Sequence, residues 1–142
     1  MATTNLNLTT IAGTDNPANF PAIYNDSMNK IDAFVGASDV GFTPEDGITS
    51  NLFFRKYGKV VCINGYIQGS SAFGTSWALL GVIDSGSRPT DAIRIPAMIS
   101  TGYSAVGVIG NITVATNGQL GIKAPSGNTG TYCYFSCSYI TA

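Results

Sequence analysis

The chain has 142 residues and a net charge of −1, with 44% hydrophobic, 11% aromatic and only 11% charged residues. That length holds one domain and a short appendage, and so much apolar content excludes a disordered chain. Histidine is absent, which removes the commonest general base near neutrality and the commonest zinc ligand.

Residues 1–19 read as an irregular, Thr- and Asn-rich lead with a turn signal at Asn16-Pro17. One helix is predicted next. Pro21 suits its first turn, Gly36 suits the position past its end, and Asp26 and Lys30 make an acid-first i,i+4 pair. Phe20, Tyr24, Met28, Ile31 and Val35 fall on one stripe about two heptads long, closer to a coiled-coil seam than to a globular face. A helix of about 15 residues is marginal alone in water. Sister chains are the economical partner, and a homotrimer is expected with this stripe in its seam.

Residues 37–51 read as a linker, with Gly41, Pro44 and Gly47 set among acids. Residues 52–142 read as short strands divided by turns. The first two, 52–56 and 60–68, flank a Tyr57-Gly58 turn, and Asn64-Gly65 reads as a bulge in preference to a tighter turn. Strands are predicted at 77–83 and at 92–99, where Pro96 marks an edge or an end. Those at 105–116 and 119–124 flank Asn117-Gly118, the strongest hairpin signal in the chain. The last, 132–141, alternates Cys133, Phe135, Cys137 and Tyr139 against Tyr134, Ser136, Ser138 and Ile140. Short strands without intervening helices predict a mostly β fold, an antiparallel sandwich or jelly-roll-like head.

The charge is unevenly placed. Residues 1–50 carry one base, Lys30, against six acids, whereas Arg55, Lys56, Lys59, Arg88, Arg94 and Lys123 face only Asp84 and Asp91 in the remainder. Such asymmetry can mark a nucleic-acid surface. Here only Arg55, Lys56 and Lys59 cluster, so a solvated strand edge is expected and nucleic acid is not. Cys133 and Cys137, four apart in a strand, stand about 13 Å from each other, too far to bridge. Free thiols are expected there and at Cys62. No secretory signal is read, and the apolar run near residues 77–83 falls far short of the ~20 residues that span a bilayer. Membrane insertion is not expected.

Without histidine, only Lys, Asp or Glu could activate a Ser or Cys nucleophile, and none sits in a recognisable motif. Asp84 and Asp91 read as turn residues satisfying nearby backbone donors, not as a hydrolytic carboxylate pair. The expectation is a non-enzyme without cofactor or metal. Three residues are candidate ligand contacts. Trp77 offers a flat platform for the C–H face of a sugar, although it also reads as a core residue heading a strand. Arg88 and Tyr103 fall on predicted loops, where ligand contacts concentrate.

Two stretches carry a family resemblance. The segment from Asn25 through Lys30, Ile31 and Asp32 to Gly36 resembles the N-terminal attachment helices of bacteriophage tail and baseplate proteins. The later motifs are Arg55-Lys56-Tyr57-Gly58-Lys59-Val60-Val61, Gly65-Tyr66-Ile67, Arg88-Pro89, the run from Ile112 to Leu120, and Ser138-Tyr139-Ile140-Thr141. They are similar to the head domains of phage receptor-binding proteins and fibres. The resemblance implies a virion component assembled in the host cytoplasm. Residues 1–36 would dock on tail, baseplate or capsid proteins, and a trimeric β-sandwich head would adsorb to host-surface glycans. The helix leads almost directly into the β-region, so a stubby tip, spike or head fibre is implied in place of a long fibre. A head fibre or capsid decoration protein is the alternative, and a wall-degrading enzyme the third.

Overall fold

The computed structural model describes Asp26 and residues 36–141. The chain divides into two compact units, Met1–Ala37 and Ser38–Ala142. In the first, Asp26 is helical, inside the predicted helix. The stripe of Phe20, Tyr24, Met28, Ile31 and Val35 lies outside the described residues.

The described strands are β1 (Ala37–Ser38), β2 (Phe42–Pro44), β3 (Ile48–Tyr57), β4 (Val60–Gly69), β5 (Ala78–Ile83), β6 (Ile93–Ser100), β7 (Val108–Val114), β8 (Gln119–Lys123) and β9 (Tyr132–Ile140). They form one sheet in the order β1-β3-β4-β9-β6-β7-β8-β5-β2. The class is antiparallel β, as expected. The geometry of the sheet follows from a covalent constraint. Strands β2 and β3 lie toward opposite ends of the order, yet only Glu45, Asp46 and Gly47 join them. Four Cα steps reach at most about 14 Å, so the sheet curls until its ends meet. Phe42 of β2 accordingly stacks on Phe54 of β3, ring centroids 5.1 Å apart.

Curling turns one face of every long strand inward. Val61, Ile63, Ile67, Leu80, Ile99, Ile112, Leu120 and Ile122 are almost wholly buried in one cluster, and each such side chain contributes about 1.5–3 kcal/mol. Strand β9 alternates as read, with Cys133, Phe135 and Tyr139 buried and Ser136, Ser138 and Ile140 exposed. The period of two survives because one face of this strand meets the core and the other meets solvent.

Several local readings are corrected. Residues 37–51 do not form a free linker: β2 pairs with β5, Phe42 opposite Ile83, and Ile48 to Asn51 already belong to β3. The ladder between β3 and β4 runs unbroken past Leu52 and Gly65, so no bulge interrupts it there. Irregular register occurs instead between Leu79 and Gly81, where β5 meets β8. Tyr57 pairs with Val60, which moves the tight turn one residue on, to Gly58 and Lys59, with Gly58 at φ 57°. The Asn117-Gly118 hairpin is present. Gly118 N–H donates to the Ala115 carbonyl, and Gly118 at φ 89° supplies the left-handed residue such a loop requires. Asp84 is a long-range clamp, more than a local turn residue. Its Oδ2 accepts from Gly41 N–H at 2.8 Å, while its own N–H donates to the Gly41 carbonyl.

All three thiols are free, and the buried ones are hard to ionise. Burial pushes the Cys133 thiol from an ordinary value near 9 up to about 12. Burial first, then the neighbouring Cys62, pushes Cys137 up to about 11. Tyr139, whose hydroxyl donates to the Ser87 carbonyl at 2.7 Å, is raised chiefly by burial as well. Below pH 9 folded and unfolded chains both keep the Cys133 proton, so this group leaves stability unchanged. As pH rises from 9 toward 12 only the unfolded chain releases it, and stability falls by about 1.4 kcal/mol per pH unit for that thiol. The melting temperature should therefore drop steadily across this window, and more shallowly in Cys133→Ala. Identical slopes in the two proteins would contradict the burial of this thiol.

Candidate functional site

The outward face of β6, β7 and β8 carries a concavity of about 530 Å³ lined by Trp77, Arg94, Asn111, Thr113 and Lys123. Register explains how these residues meet. Arg94 of β6 stands opposite Thr113 of β7, and Thr113 stands opposite Gly121 of β8. Two residues along, Asn111 of β7 stands opposite Lys123 of β8. Outward residues on neighbouring strands sit about 5 Å apart, and the two rows about 7 Å apart. Their inward neighbours Ile112, Val114 and Ile122 are fully buried, which holds the floor of the site rigid.

Trp77 forms one wall. It precedes β5 and is 41% exposed, so it is not a core residue. Its indole lies against Gly121: a methyl carbon built there would fall 2.1 Å from the indole Cε2. The missing side chain at Gly121 is what lets the ring lie on the strand, with part of its surface left open. A broad aromatic surface beside hydroxyl, amide and cationic groups is equipped to take a polar ligand with an apolar face.

The basic residues divide by partner. Arg55 pairs with Asp39, the Lys56 ammonium donates to the Gly86 carbonyl, and Arg88 Nε donates to the Ile83 carbonyl at 3.4 Å. Arg55 is exposed and Lys56 half-buried on opposite faces of β3, so the sequence cluster of bases is not one patch. Among the described residues, Arg94 and Lys123 have no acidic partner, and no acid lines the concavity.

The three sequence candidates do not converge. Trp77 forms the groove wall. Arg88 fastens its loop, its side chain packed over Gly118 at the end of the β7–β8 hairpin. Tyr103, 69% exposed in the β6–β7 loop, joins Tyr66 of β4 and Tyr134 of β9, and Tyr134 hydroxyl donates to the Tyr103 carbonyl at 3.1 Å. Tyr132 completes that cluster. No hydrogen bond or ring contact links the three candidates to one another among the described residues. Sequence reasoning missed Arg94, Asn111, Thr113 and Lys123. Their signal was the polar half of the alternation in β7 and β8, which shows a face but not which strands share it.

The described β-region is thus a curled antiparallel sheet with an open, aromatic-walled groove on its outward face. No family model and no curated protein matches the sequence. The chain is similar in fold to the receptor-binding protein (gp15) of Listeria phage PSA in its crystal structure, with a TM-score of 0.64 at 14% identity, covering 92% of this chain and 82% of that one. At that identity the likeness is one of fold.

Proposed function

We propose that this chain is a bacteriophage virion protein of the short-fibre, receptor-binding type, which adsorbs to host-surface glycan through the Trp77 groove. The observation that carries this reading is the groove itself: a half-exposed indole held flat on Gly121, beside polar and cationic side chains and on a fold like that of a phage receptor-binding protein. In this reading residues 1–36 dock on the particle and three chains assemble. Support for association comes from an outward apolar row across four strands. Ile109, 68% exposed, stands opposite Met98, Met98 opposite Tyr134, and Tyr134 opposite Tyr66. Low charge on that row suits burial against a sister chain. Weak single sites then add, because three copies on one particle raise effective concentration.

The test is competition. Purified protein should run at three times its 14.8 kDa mass in light scattering, coat host cells, and block phage adsorption. Failure to coat cells, with loss of capsid stability when the gene is deleted, would replace this reading with a head-fibre or decoration role.

A further inference from the structure

We infer that Asn117 is a self-modification site, where the backbone nitrogen of Gly118 displaces the side-chain amide of Asn117 and a carboxyl group takes its place. This chemistry does not depend on the adsorption reading. Asparagine followed by glycine occurs twice in the chain, at Asn64-Gly65 and at Asn117-Gly118. The two pairs start alike, because glycine has no Cβ to shield the attacking nitrogen. Their surroundings separate them.

The step closes a five-membered ring. The Gly118 nitrogen bonds to Asn117 Cγ, the Cγ–Nδ2 bond breaks, and Nδ2 leaves as ammonia with the proton given up by the Gly118 N–H. Water then opens the ring at either of its two carbonyls. One opening gives aspartate at position 117 and the other gives isoaspartate, so water is the only co-reactant.

Ring closure requires the peptide unit between the two residues to turn until its nitrogen faces Cγ. Asn117 is exposed in the β7–β8 hairpin, and among the described residues that unit gives up one backbone hydrogen bond, Gly118 N–H to the Ala115 carbonyl at 2.9 Å. Losing one such bond reduces the reactive population by about tenfold at most. The carbon under attack is also prepared. Asn117 Oδ1 accepts from the Gln119 N–H at 3.1 Å, a donor set on the oxygen where negative charge gathers as the nitrogen adds.

At Asn64 the same rotation would have to occur inside the sheet. Asn64 and Gly65 stand opposite Phe53 and Leu52 of β3 on one side and Ser136 and Phe135 of β9 on the other. The Asn51 carbonyl oxygen lies only 2.2 Å from where a Cβ of Gly65 would be. Turning this peptide unit means parting β4 from both neighbours, an opening far rarer than the fraying of a turn. The product at Asn117 has a local consequence. A negative charge arises one residue from Gly118, over which Arg88 packs. Isoaspartate also adds a backbone carbon to the loop joining the strands of Asn111, Thr113 and Lys123.

The second Asn-Gly pair is a control built into the same chain. Native protein and a urea-unfolded sample are incubated side by side in mildly alkaline buffer, and the peptides holding each pair are followed by mass spectrometry. In urea the two asparagines should convert at similar rates. In the native protein Asn117 should convert at least about tenfold faster than Asn64, and both aspartate and isoaspartate should appear at position 117. Asn117→Gln should stay unmodified there, because the longer side chain cannot close the same ring. Native Asn64 converting as fast as Asn117 would overturn the inference, as would an unchanged native Asn117 once the unfolded sample has reacted. Aspartate without isoaspartate at position 117 would mean direct hydrolysis by water and would refute attack by Gly118.

Discussion

On the adsorption reading proposed above, Gly121→Ala is expected to cost the protein most of its host binding while leaving the sheet folded. The added methyl carbon would lie 2.1 Å from Cε2 and 2.3 Å from Cζ2 of Trp77, a separation no pair of non-bonded carbon atoms sustains. Something must shift. The strand is held on both sides, by β7 through Thr113 and by β5 through Leu79, whereas Trp77 sits outside the strands and is 41% exposed. The indole therefore swings away and the groove loses its wall. Stacking a sugar on an indole removes apolar surface from water worth about 2 kcal/mol, so each site should weaken about 30-fold. A multivalent particle feels that loss at every site it uses. Because an exposed side chain moves and no core contact is lost, stability should change by only about 1 kcal/mol. Adsorption assays and melting curves on Gly121→Ala beside Trp77→Ala give the measurement. Both variants should lose binding to a similar extent. Normal adsorption by both would remove Trp77 from the site.

Gly65→Ala is expected to produce the largest loss of stability of any single methyl added to the sheet. Gly65 has φ 135°, a backbone conformation that side-chain-bearing residues rarely adopt. Its missing Cβ would fall 2.2 Å from the Asn51 carbonyl oxygen and 3.2 Å from Leu52 Cα, which are backbone atoms of the neighbouring strand. The indole at Gly121 can rotate away, but here β3 and β4 would have to separate inside a ladder that runs from Ile48 and Gly69 to Tyr57 and Val60. Strain at φ alone costs about 1–3 kcal/mol. With the collision added, about 3–5 kcal/mol is expected, a large part of the about 5–15 kcal/mol that holds a domain together. Two controls separate the contributions. Gly127, at φ 75° with open space around it, should show only the conformational cost on replacement by Ala, and Gly74, with no positive φ and open space, should show almost none. Chemical denaturation of the three variants tests the order. A Gly65→Ala protein no less stable than Gly127→Ala would mean that β3 and β4 are not in close register at this point.

What the amino-acid sequence determined by itself was local. In β9, each residue from Cys133 to Tyr139 meets core or solvent according to its parity, and the side chains declare it. At Asn117-Gly118 the turn was legible because a left-handed residue is needed within a few positions, and glycine meets that need cheaply. The absence of histidine likewise bounded the chemistry before any fold was known.

The tertiary structure decided whatever depends on a distant partner. Phe42, Thr43 and Pro44 look like linker because three residues carry too little pattern, and they become a strand only by pairing with Ile83, Val82 and Gly81. Gly65 suggested a bulge, yet what requires glycine there is the backbone of Asn51 on the neighbouring strand. The groove was the least legible feature. Arg94, Asn111, Thr113 and Lys123 are ordinary outward residues of three strands, and Trp77 is an aromatic residue beside a fourth. Only register places them around one concavity, and register is settled by which faces the curled sheet must bury. Alternation along a strand is written in neighbouring residues, whereas adjacency across strands comes from burying all the inward faces in one core.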